Sequence, residues 1–120
     1  TKTALISGVI WAVYHFPLII FLYAPRYNIS PWPIMVFAII AGIGMSTIMA
    51  WLRLKSGSVW TAVIFHGALN TLNQTVFQNL TTETSNLTHY ISGEHGLMLA
   101  LVMAVAGYLF WRKRDSLPQT

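Results

Sequence analysis

Read as a string of apolar and polar positions, the chain falls into four long apolar runs, at about Thr3–Tyr23, Pro33–Leu54, Ser58–Phe77 and Gly96–Trp111. Crossing a bilayer as a helix takes roughly 20 apolar residues, with a range of about 17–25. The first two runs meet that length, and the third does so if its polar positions face protein. The last is short, and tilt or local thinning of the bilayer would accommodate it. The pattern predicts an all-α, polytopic membrane helix bundle with about four transmembrane helices, forming a single membrane domain over residues 1–120 without repeats or low-complexity linkers.

The polar positions are placed as that picture requires. With four crossings, Lys2, Arg53, Lys55, Arg112, Lys113 and Arg114 fall on one side and Arg26 on the other. Basic residues concentrate in cytoplasmic loops, so both chain ends are expected in the cytoplasm. "LRLKSGS" is then a short cytoplasmic turn, and "NLTTETSNLTHYISGEH" an exterior loop. Trp51, Trp60, Trp111, Tyr23, Tyr27 and Trp32 sit near the expected headgroup levels, where amphipathic rings are favoured. Pro17 is expected to kink the first helix, and Gly42 and Gly44 to let the second pack closely.

Composition strengthens this reading. Charged residues make up 8% of the chain and apolar ones 55%, against about 25% charged in soluble domains. The net charge of +4 does not imply nucleic acid, because the basic residues end apolar runs rather than gather on one solvated face. Membrane lipids are the expected surroundings, in a multi-pass protein of a bacterial cell membrane. The absence of cysteine excludes disulfides and thiolate metal sites. The opening "TKTALISG" has neither Met nor a signal-peptide layout, so an upstream part is expected and the chain reads as the C-terminal part of a larger bundle.

Three polar side chains stand out inside the apolar runs. His15 lies within "SGVIWAVYHFPLIIF". His66 and Asn70, four apart, share a helical face, which Asn73 extends, with Gln74 close by. At 1.5 Å per residue, His15 lies roughly 18 Å from its end of the bilayer, His66 roughly 12 Å and Asn70 roughly 18 Å. They can meet in one layer, and strongly polar groups at such depth face a bundle interior or a wet cavity. An imidazole can take a proton, bind a metal or polarise a carbonyl, and an Asn amide can donate to a developing oxyanion. The set resembles part of a hydrolytic site without a carboxylate. Glu83 and Glu94 fall in the exterior loop and Asp115 in the tail, out of reach unless the loop folds back. His89, Glu94 and His95 in that loop make only a weak metal pattern.

"WAVYHFP" (Trp11–Pro17) followed by "LRLKSGSVWTAVIFHGALN" (Leu52–Asn70) resembles the CAAX-protease and bacteriocin-processing family of intramembrane endopeptidases. "SGEHGLMLALVMAVAGYLFWRKR" is similar to the family's closing turn and last helix. Trp11 stands where the family usually has Phe. The family's Glu pair followed by Arg, "EExxxR", precedes the first His element in relatives and does not occur in these residues. The resemblance implies that His15 holds the catalytic water or a metal beside that Glu. It implies that His66 serves the same centre or the oxyanion, and that Asn70 donates to the oxyanion. It also implies a metal, zinc or another divalent ion held by His15 and His66, or direct activation of water by Glu and His. The implied substrate is a prenylated protein cut near its C-terminus or a bacteriocin or leader peptide. Two other functions compete: a non-catalytic membrane protein (bacteriocin immunity factor or scaffold), and a haem protein with His15 and His66 as axial ligands.

Overall fold

The computed structural model describes residues 2–118. Helix accounts for 84% of it, and no strand occurs among the described residues. Two helices are long and apolar enough to cross a membrane, α1 (Lys2–Tyr27) and α2 (Pro31–Ser56). The third run forms α3, which starts as Trp60–Asn70 and continues through Thr71–Phe77 and Gln78–Leu80. After an irregular stretch come the short α4 (Leu87–Ile91) and α5 (Leu97–Arg112), which ends in a 3₁₀ turn over Lys113–Ser116. At 16 residues α5 is shorter than a full crossing.

Pro17 does not end α1. It lacks an N–H, yet the α-helix runs on to Leu18 and then widens to π geometry over Ile19–Tyr23, where the Ala24 N–H bonds back to the Ile19 carbonyl. A second π segment, Thr71–Phe77, follows Asn70 in α3. Single π turns inside α-helices often mark functional sites, and each of these follows one of the polar positions picked out above. α1 stops where Asn28 turns left-handed at φ 51°, a conformation that Asn tolerates better than most residues.

α2 runs two residues past each end of its apolar run. Pro31 at the first turn suits a helix start, and Gly57 closes the other end at φ 70° with its N–H on the Arg53 carbonyl. "LRLKS" therefore continues the helix, and the turn itself is only Gly57–Val59.

Helix α2 is the central rod. Ile34, Ala38, Ala41, Met45 and Ile48 are all buried, alternating steps of four and three that keep one stripe inward. Two glycines let its backbone touch both neighbours. A Cβ on Gly8 would lie 2.7 Å from the Gly42 carbonyl oxygen, and one on Gly107 would lie 2.7 Å from the Gly44 Cα. Lipid tails are as apolar as the side chains, so helices in a bilayer gain from close van der Waals approach rather than from leaving water. The outer faces remain apolar and exposed, Tyr14, Phe21, Trp60 and Ile64 among them.

Contacts along the rods give their directions. α1 packs antiparallel to α2, Gly8 near Gly42 and Ile19 near Ile34. α5 runs parallel to α2, since Gly107 meets Gly44, the Trp51 indole donates to the Lys113 carbonyl at 3.3 Å, and the Lys55 ammonium donates to Ser116 at 2.9 Å. Between them α3 packs on α2 chiefly through Trp60–Asn70, while Thr71–Leu80 buries no residue. The basic ends of α2 and α5 are thereby tied together, and the opposite end of the bundle is formed by the loop that leads back to α5.

Candidate functional site

The indole of Trp11 touches two imidazoles. Its ring centre lies 4.1 Å from that of His15, tilted by 38°, and 6.5 Å from that of His66, edge to face. Trp11 and His15 are one turn apart on α1, and His66 comes from α3. Trp11 packs against both apolar clusters of the bundle, so the pair is mounted on the best-anchored part of α1. The large ring in place of the family's usual Phe spans the gap between the two histidines.

His15 Nδ1 lies 2.8 Å from the Trp11 carbonyl oxygen. A carbonyl only accepts, so Nδ1 carries the proton and Nε2 presents its lone pair; such a bond fixes both tautomer and ring orientation. His15 and His66 are half-buried, while Asn70 is on the exposed side of α3. All three line one cavity of about 80 Å³, together with Trp11, Met45, Asn73, Gln74 and Met103. That space suits a few water molecules.

Two further residues join them. The loop folds back, so that Glu94 and His95 line the same cavity. His95 is buried, and its ring centre is 5.8 Å from that of His15. Glu94 Oε1 accepts a hydrogen bond from Gln74 Nε2 at 2.6 Å. Burial holds the His95 imidazole below its usual pKa; the Glu94 carboxylate pulls it up in part, and His15 pushes it further down. A larger polar cavity of about 240 Å³ adjoins the first, and Asn73 and Glu94 line both.

The loop thus folds back, the condition under which a carboxylate was expected to reach His15 and His66, and the carboxylate it brings to their cavity is Glu94. The available signal was the pair of glycines in "SGEHG". A Cβ on Gly93 would meet the His89 carbonyl and the Tyr23 hydroxyl at 2.5 Å, and one on Gly96 would meet the Ile91 carbonyl at 2.8 Å. Only a backbone without side chains can turn back so tightly there. The other loop residues go elsewhere: His89 stacks on Tyr27 at 3.7 Å and sits 3.5 Å from the Glu83 carboxylate. Asp115 lies by Arg114 at the basic end.

The family model for type II CAAX prenyl endopeptidase, Rce1-like, matches residues 1–72. The chain belongs to this family. The matched stretch holds His15, His66 and Asn70, and it makes up more than half of the chain. No curated protein and no solved structure matches the chain significantly. Membership and two membrane-length helices mark a membrane protein of a protease family acting on peptide or protein substrates. Gln74, Glu94 and His95 all lie beyond the match.

Zinc sites take three or four protein ligands, and no three His, Asp or Glu side chains among the described residues stand together in a way that would hold an ion. His15 and His66 alone do not complete a sphere.

Proposed function

We propose that this chain carries the histidine–asparagine half of an intramembrane endopeptidase site. The substrate is a prenylated CAAX-type protein cut near its C-terminus, or a leader or bacteriocin peptide. One observation carries the reading: His15, His66 and Asn70, from two helices, line a single water-sized cavity. The bare Nε2 of His15 accepts a hydrogen bond from water and takes its proton as the water oxygen attacks the peptide carbonyl. The carbonyl oxygen gains the negative charge, and the Asn70 amide, with His66 as an N–H donor, stabilises it. When the C–N bond breaks, the proton passes to the leaving amine. The Glu pair of the family acts beside His15 where the full-length protein supplies it.

The parallel run of α2 and α5 supports a chain that crosses the bilayer four times, α3 bringing it back between them. Lys2, Arg53, Lys55 and Arg112–Arg114 then share the cytoplasmic side. A haem between His15 and His66 is disfavoured by the same geometry, since the cavity they line, about 80 Å³, is too small for the macrocycle.

The test is hydrolysis of quenched fluorescent peptides, one ending in a farnesylated CAAX sequence and one carrying a leader, by the full-length protein in lipid nanodiscs. Full turnover by His15→Ala and His66→Ala would remove the proposal.

A further inference from the structure

The helix that bears His66 and Asn70 is poorly held beyond them. Thr71–Leu80 buries no residue, and its other side-chain hydrogen bonds, from Thr71 to Gly67, from Asn79 to Thr75 and from Thr81 to Phe77, stay within the helix and its C-cap. Among the described residues, the bond from Gln74 to Glu94 is the one hydrogen bond that ties this segment to another element. The next residue in the chain, His95, meets the other half of the site. Its ring and that of Trp11 flank His15, at 5.8 Å and 4.1 Å. The turn that bears both is itself fixed by Gly93 and Gly96, whose backbones press against α1 and α4.

We infer that the Ser92–Gly96 turn is a brace whose adjacent residues Glu94 and His95 are positioning residues, setting the gap between His15 on α1 and His66 and Asn70 on α3. Two consecutive residues of one short turn cannot move independently, so the turn converts two separate helix contacts into one fixed separation. A pre-set gap matters because displacing a reacting group by about 1 Å can cost on the order of a hundredfold in rate. The inference rests on the hydrolase reading only for its effect on turnover; its effect on geometry stands alone.

The experiment uses the full-length protein in nanodiscs with spin labels on Phe21→Cys and Val76→Cys, both exposed, after replacing any cysteine outside these residues. The distance distribution is read by electron–electron resonance, and turnover with the farnesylated peptide. Glu94→Ala should broaden the distribution and lower kcat about tenfold or more, with KM changing less than about threefold. Glu94→Gln still accepts from Gln74 and should restore both readouts. Gln74→Ala should act like Glu94→Ala, and the double variant should be no worse than either, because the two residues share one interaction. His95→Phe keeps a ring against His15 and should be milder than His95→Ala. An unchanged distribution in Glu94→Ala overturns the brace. So does a Glu94→Gln variant as inactive as Glu94→Ala, since the charge itself would then enter the chemistry. Moved labels alongside full turnover in His15→Ala and His66→Ala would leave the brace standing and sink the hydrolase reading.

Discussion

His15 and His95 meet edge to face, ring centres 5.8 Å apart and planes at 64°, though one lies in the first helix and the other just before the last. The contact closes the chain around the cavity. It also means that the site is assembled from three separate stretches, the third of which lies outside the match to the family.

Removing the proposed proton acceptor should be the most damaging change. His15→Ala is expected to lower kcat by about 10²–10⁴, the usual worth of a positioned acid or base. Asn70→Ala should cost about 10²–10³, the worth of one oxyanion donor. His66→Ala should fall in the same range as Asn70→Ala. Single-turnover kinetics on the fluorescent peptides check all three, with thermal midpoints confirming that each variant is folded.

Trp11 should tolerate Phe and not Ala. Trp11→Phe restores the family's usual residue and keeps an aromatic face on His15, so turnover should stay within a few-fold. Trp11→Ala removes a half-buried ring packed against both apolar clusters, and large aromatic truncations cost about 3–5 kcal/mol in a core. Unfolding in a denaturing detergent titration measures the loss. Equal stability of the two variants would contradict the packing described.

The helix crossing should reject side chains where it has none. Gly107→Val puts atoms into the Gly44 backbone, and overpacking costs about 1–3 kcal/mol. Gly67→Ala is the control: nothing lies within 4 Å of its added Cβ, and alanine favours helix over glycine by up to about 1 kcal/mol. The same detergent titration should show the first variant weakened and the second equal or stronger.

Acidification should loosen the turn through His95. Its imidazole has a lower pKa folded than unfolded, so between those two values the unfolded chain binds more protons. Stability is then complete above the unfolded value of about 6.5 and declines as pH falls below it. Melting curves from pH 8 to pH 5 should show a steeper loss for the native protein than for His95→Phe.

Much of the architecture was legible because apolar run length translates directly into helix length. The four runs all became helices, and His15, His66 and Asn70 were visible as hydrogen-bonding groups in stretches that lipid would otherwise claim. Helical rise put them at similar depth, where they could meet, and all three line one cavity. The loop was not legible, since a segment without period carries no register. Nothing in the order Glu94–His95 says which way the chain turns. The weak hold on Thr71–Leu80 was hidden as well, because an apolar–polar pattern shows which face could be buried and not whether a neighbour covers it. The helix ends were set by Pro31, Asn28 and Gly57, whose backbone preferences act beyond the last apolar residue.

The glycine-to-glycine crossings give α2 an unusual place in this protein's mutational tolerance. It carries no imidazole, carboxylate or amide, yet α1, α3 and α5 all take their bearings from it. A saturation screen scored on product would find intolerant sites at Gly42 and Gly44, on a rod that lends the cavity only the apolar side chains of Ala41 and Met45. Ranking positions by their nearness to the chemistry would miss them.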